Sequence, residues 1–293
     1  MPSPATPPCA HLALPNCPTS PSKASFSYRI MVGNEISDNT LKACTELFSS
    51  NYGIWGEQAA MISKHTVAGK NIKMTRARLR TRCGSHPKNT VLVMCYLQVD
   101  PFESPQLYGH AFATVWDYGE NKGSRLSQFL AKLALVVDEQ VHQCYIATQL
   151  LQALKFHVLF SRINIIGLVS SHSTACNALV KYASADIKDI DLDFIRGHTR
   201  GILNASPISY LKTAQLRGTL FEDNCDNGAI LSVFTEFYVN HAEPLTVLSQ
   251  YKKRGQWYLG ELLDGHEFLA IFPIAPVSLV DAESPVPSVC DLK

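Results

Sequence analysis

The sequence predicts an α/β chain: a mixed, mostly antiparallel sheet with a central parallel strand pair and flanking helices. Three observations carry that expectation. Stretches rich in β-branched and aromatic residues, "TVLVMCYLQVD" (90–100) and "YGHAFATVWDY" (108–118), follow one another across turn-forming "SHPKN" and "PFESPQ", as in an antiparallel meander. Strand, helix, strand and helix then alternate over 133–184, the order of a parallel crossover unit packed on the meander. Composition is ordinary for a globular protein, with 46% apolar and 17% charged residues among 293.

In chain order, residues 1–25 are rich in proline and serine and lack a basic segment followed by an apolar core. They read as a disordered extension and not as a secretory signal. A strand is expected over 26–33 and a helix over 37–56. Ser37 or Asp38 would cap that helix, since a side-chain oxygen there accepts an otherwise unpaired first-turn amide hydrogen. Leu41, Cys44, Leu47 and Phe48 form its inward stripe.

"IKMTRARLRTRCG" (72–84) reads as a strand, with Arg76, Arg78, Arg80 and Arg82 at every second position and so on one face. A solvated outer face is its plain reading and an anion contact the alternative. Residues 124–138 fit a helical stripe of Leu126, Phe129, Leu130, Leu133 and Val137, or, in "LALVVD", a buried strand; we read 133–138 as strand. A helix over 145–160, a buried strand over 164–171 and a helix over 173–184 follow. Residues 185–228 read as loop and short helix, with 208–221 the best helical stretch. Strands at 229–239 and 266–274 bracket a helical "EPLTVLSQYKKRG", and the proline-rich tail, 276–293, reads as loose.

Net charge is +1, so no global field favours nucleic acid or an anionic membrane, and no apolar run approaches the roughly 18 to 20 residues of a membrane helix. Neither partner is expected. Nine cysteines, at 9, 17, 44, 83, 95, 144, 176, 225 and 290, form no CxxC pair, which points to reduced thiols in an intracellular, cytoplasmic setting. Histidine, cysteine and carboxylates do not cluster at metal-ligand spacing, so no metal is expected. Neither a GxxxxGK[ST] loop nor a GxGxxG turn is present. His172 and Cys176 are four apart, as a nucleophile and its base could be, but without an oxyanion-loop signature.

The stretch "LALVVDEQVHQCYIATQLL" (133–151) carries the functional expectation. A buried strand ends at Val137, a short loop follows, and a helix begins near Tyr145 or Ile146. The amide hydrogens and the positive dipole end of that helix start make an anion site without a charged side chain. An ordinary strand-to-helix connection is the alternative. With the order of elements around it, the chain resembles the GNAT superfamily of acetyl-CoA-dependent N-acetyltransferases, and among them fungal GNAT-like proteins with segments such as "GHAFATVW" and "DGHEFL". The resemblance spans residues 26–275, with the cofactor core at 133–184.

That resemblance implies a geometry. The strands at 133–138 and 164–171 would splay into a V-shaped cleft, and the pantetheine arm of acetyl-CoA would lie along the backbone of Leu135, Val136 and Val137. The family signature, Q/R-x-x-G-x-G/A, falls on His142, Gln143, Cys144, Tyr145, Ile146 and Ala147. Ala147 fits it, His142 stands where Gln or Arg is usual, and Tyr145 replaces the first glycine. Pyrophosphate would lie over the amides of 143–148, with Thr148 adding a hydroxyl, provided that Tyr145 has a helical φ and turns its ring away.

The implied activity is acetyl transfer from acetyl-CoA to a primary amine of an unidentified acceptor, by direct attack in a ternary complex. Tyr182 would protonate the leaving thiolate, with a core or helix-end tyrosine as the alternative, and Ala175 stands where many relatives have asparagine. His172 is a candidate for proton transfer or, more plainly, a helix-cap neighbour. Asp138 should face the cofactor loop, and His110, Asp117 and Glu57 could line the acceptor side. A scaffold retained for binding or regulation is the alternative function.

Overall fold

The computed structural model describes residues 25–84, 86–98, 102–118, 127–141, 144–161, 163–223 and 225–274, with the backbone alone at 62, 127–134 and 189. The expectations for residues 1–24, for the tail 276–293 and for His142 and Gln143 lie outside the described residues. Strands β1 (Ser25–Val32), β2 (Thr90–Gln98), β3 (Gln106–Tyr118), β4 (Ser127–Val137), β5 (Ile165–Ser170), β6 (Gln215–Arg217), β7 (Ser232–Phe234) and β8 (His266–Pro273) form one sheet, in the order β1-β2-β3-β4-β5-β8-β7-β6. Neighbours run antiparallel except β4 and β5, which are parallel. The helices are α1 (Asp38–Asn51), α2 (Ala59–Ile62), α3 (Arg76–Cys83), α4 (Ile146–Leu154), α5 (Ser173–Ala183), α6 (Leu192–Ala205), α7 (Ser209–Thr213) and α8 (Ala242–Lys253).

Period-two alternation divides the apolar side chains of the meander between two cores. Leu92, Met94, Phe112 and Val136 pack with Leu41, Cys44, Leu47 and Phe48 of α1 and Leu79 and Cys83 of α3. Val91, Val93, Ala111 and Ala113 pack on the other face, with Ile146, Leu150 and Leu154 of α4 and Cys176 and Leu179 of α5. α6 carries its stripe of Ile195, Ile202 and Leu203 into the second core, and its Ile202 carbonyl accepts the indole N–H of Trp116 at 3.3 Å.

Several expectations are corrected. The arginine segment is not a strand: Arg76–Cys83 is helical, because Thr75 Oγ1 caps it by accepting from Arg78 N and because Leu79 and Cys83, four apart, are its buried pair. Arg76, Arg78, Arg80 and Arg82 are exposed, and Arg80 pairs with Asp38 at 2.6 Å. The strand read over 133–138 begins earlier, at Ser127. The helix read over 145–160 ends at Leu154. Residues 192–205, within the stretch read as loop and short helix, are the 14-residue α6, whereas 208–221 holds α7 and the short β6. The strand read over 229–239 shrinks to Ser232–Phe234, with Glu236 in a left-handed conformation just beyond it.

Candidate functional site

β4 and β5 pair over four positions only, from Phe129↔Ile165 to Lys132↔Leu168; beyond these the two strands part. The cause lies on the other edge of β4. Its pairing with β3 steps from Ala113↔Lys132 to Phe112↔Ala134, so Leu133 is an extra residue, a bulge that bends and twists the strand where it leaves β5. Past the bulge β4 stays paired with β3 as far as Gly109↔Val137. Leu135 and Val137 pack toward the α4 and α5 face and Val136, 2% exposed, toward α1.

α4 starts at this end of β4. Its N-cap is Tyr145, whose own side chain makes no capping hydrogen bond, as at α2, α7 and α8, whereas Ser37, Thr75, His172 and Asp191 cap α1, α3, α5 and α6. Tyr145 has φ 57° and ψ 14°, the left-handed conformation that favours glycine. The condition set on Tyr145 is therefore met only in part: φ is left-handed and not helical, while the ring is 60% exposed. Lys181 Nζ lies 4.8 Å from the centre of that ring, which brings a cation to the start of α4. Cys144, Ala147 and Thr148 are half-buried, and Ile146 is buried against β3.

Gly109 lets α4 lie this close to the sheet. A Cβ there would come within 3.1 Å of Ile146 Cγ2 and 3.2 Å of Leu150 Cδ1. The Tyr28 hydroxyl donates to Gln149 Oε1, and Gln152 Nε2 donates to the Lys181 carbonyl at 3.0 Å, so α4 is held by β1 on one side and α5 on the other.

Tyr182, near the end of α5, is 1% exposed, and Lys155 Nζ lies 5.0 Å from its ring centre. Burial raises its pKa, so the phenol stays protonated. His172 is committed at both nitrogens. Nδ1 accepts from Thr174 N at 3.2 Å, capping α5, and Nε2 meets the Glu243 carboxylate of α8 at 2.8 Å. With Nδ1 accepting, Nε2 carries the proton and donates it. Cys176 is fully buried, which does not bring it together with His172 as an exposed nucleophile.

The proposed acceptor-side residues do not converge. His110 is fully buried, with Nε2 3.1 Å from the Cys44 carbonyl. Asp117 is paired with Gln128, at the opposite end of β4 from the opening. Glu57 is exposed in a turn beside Gly56, whose N–H donates to Tyr238 O. Asp138 accepts from Gln140 N at 3.0 Å and so shapes the turn before the loop. A buried acid that the sequence reading passed over, Glu267 of β8, stands beside the opening. Its signal was legible: it is the one acid in the otherwise apolar strand "HEFLAIFP".

No helix among the described residues is long and apolar enough to cross a membrane. No protein-family model and no curated protein sequence matches the chain. Solved structures similar to it include Arabidopsis thaliana NAA60 in complex with a bisubstrate analogue, at 10% identity and TM-score 0.41 over 86% of this chain and 99% of that one. An acetyltransferase of the GNAT family from Streptococcus pneumoniae matches at 10% identity and TM-score 0.33, over 54% and 83% of the two chains. Arylalkylamine N-acetyltransferase 2 from Aedes aegypti matches at 10% identity and TM-score 0.35, over 53% and 81%.

Proposed function

We propose that this chain transfers an acetyl group from acetyl-CoA to a primary amine, by direct attack in a ternary complex. The observation that carries the reading is the parting of β4 from β5 at the Leu133 bulge, at the end of the sheet where α4 begins. A strand edge left by its neighbour offers amides and carbonyls to an extended chain. The pantetheine arm is such a chain, and the backbone of Leu135, Val136 and Val137 would receive it. Cys144, Tyr145, Ile146, Ala147 and Thr148, with His142 and Gln143 of the preceding loop, would hold the pyrophosphate through amide hydrogens and the dipole end of α4. The Lys181 ammonium beside Tyr145 adds positive charge to the same place.

Tyr182 is assigned the proton that the leaving sulfur requires, since its phenol is protonated at neutral pH. His172 is assigned to holding α5 against α8, because a base needs a free nitrogen and both of its nitrogens are engaged. Isothermal titration with acetyl-CoA tests the reading: saturable binding is expected, and its absence overturns it. Tyr182→Phe is expected to lower turnover by about 10²-fold with acetyl-CoA affinity nearly unchanged. Unaltered turnover would remove Tyr182 from the role.

A further inference from the structure

Glu267 has no part in the roles above, yet it is a carboxylate held in the protein interior, 6% exposed. Such a group is costly to bury without partners. Its Oε2 accepts a hydrogen bond from the Thr235 hydroxyl at 2.9 Å. Tyr52 at the end of α1, Tyr210 of α7 and Arg82 of α3 are within electrostatic reach of it, and Cys83 of α3 is within reach of both tyrosines.

The register fixes where this cluster sits. Ser170↔Phe268 is the last pair between β5 and β8, so Glu267 stands one residue beyond the end of β5, opposite Val233 of β7. Tyr52 stands at the end of α1. Asn51 Oδ1 accepts from Glu139 N at 3.1 Å, which pins the end of α1 to the end of β4. Both groups lie on the face of the sheet that carries α1 and α3, where the Tyr52 ring also meets Phe237 at 6.0 Å. α4 and α5 fill the opposite face, so an amine reaching a thioester in the opening comes from the α1 side.

We propose that Glu267 is the proton acceptor for the attacking amine, an assignment that rests on the acetyl-transfer reading above. The ammonium form of the acceptor gives one proton to the Glu267 carboxylate. The freed lone pair on nitrogen bonds to the thioester carbonyl carbon, the carbon–sulfur bond breaks with its electron pair on sulfur, and the second nitrogen proton ends on sulfur. The products are the acetamide, the free thiol and protonated Glu267, which returns its proton to solvent. Burial pushes the Glu267 pKa up to about 7, against the pull of the Thr235 hydroxyl and the Arg82 charge. A base of that strength is about half ionised at neutral pH and takes a proton readily.

Glu267→Gln tests the assignment, because the amide oxygen can still accept from Thr235 while the base is removed. Acetyl-CoA binding is measured by titration, and thiol release is followed with 2-phenylethylamine, spermidine and a tetrapeptide with a free N-terminus. Thermal stability is measured against pH without acetyl-CoA. The expected result is unchanged acetyl-CoA affinity and amine-dependent thiol release lowered about 10²-fold. The fall in wild-type rate below about pH 7 should be missing from the variant, as should the decline in stability from about pH 5 to about pH 8. A variant with the wild-type rate and pH profile overturns the assignment, and so do parallel stability curves. Wild-type protein that binds acetyl-CoA but releases thiol with none of the three amines overturns it as well. Failure of the wild type to bind acetyl-CoA is a different result, which overturns the acetyl-transfer reading and this assignment with it.

Discussion

Tyr145 separates what a side chain reports from what a backbone does. By residue type it breaks the resemblance, since glycine is usual there; by conformation it takes the left-handed backbone that glycine favours, with φ at 57°. A left-handed backbone costs a residue with a Cβ about 1 kcal/mol or more. Tyr145→Gly should therefore raise the melting temperature, by an amount worth up to about 1 kcal/mol, with part of the relief offset by the greater freedom of the unfolded chain. Thermal denaturation decides it, and a lower melting temperature would show that the contact with Lys181 outweighs the strain. Glu267 supplies the second prediction at this scale. Its folded pKa, about 7, lies above the ordinary value near 4.5, so its contribution to stability is fully present below about pH 4.5 and is lost as pH rises through 7. The difference corresponds to about 3 kcal/mol, an upper bound for what Glu267→Gln recovers at alkaline pH in chemical denaturation. Both residues were open to reading in the sequence, but only Tyr145 was singled out, because a motif pointed at it. Glu267 needed the register of β8 to show that it faces inward.

At the scale of elements, the seat of α4 on β3 is the contact on which the proposed anion site depends. Gly109→Ala would push a methyl group against Ile146 and Leu150. Overpacking of this kind is expected to cost about 1 to 3 kcal/mol, and because it lifts the first turn of α4 it should also weaken acetyl-CoA binding. Urea denaturation and titration read the two effects separately. The helix itself was legible from "IATQLLQAL", whose apolar residues recur at helical spacing. α3 and α6 were not. In α3 the arginines alternate and mimic a strand, while the pair that decides the element, Leu79 and Cys83, is short enough to be overlooked. In α6 two glycines resemble a loop, but Gly201 is required by packing: a Cβ there would lie 2.7 Å from the Tyr118 ring. Tertiary contact outweighs the helix propensity that glycine lacks.

For the molecule as a whole, the meander and the parallel crossover were legible because long apolar strands and their turn signals are local. The extension of the sheet beyond β5 was less so, since β6 and β7 have three residues each, with β7 paired to β8 and β6 to β7. The parting of β4 and β5 was visible only through a resemblance. A bulge is a mismatch of count between two strands, and count leaves no mark on residue type. Its consequence reaches past the local bend. Without the extra residue at 133, the ladders on both edges of β4 would run in step, and β4 could zip onto β5 toward Ser170 and shut the seam. Measured in chain length, an open molecule differs from a closed shell here by one amino acid.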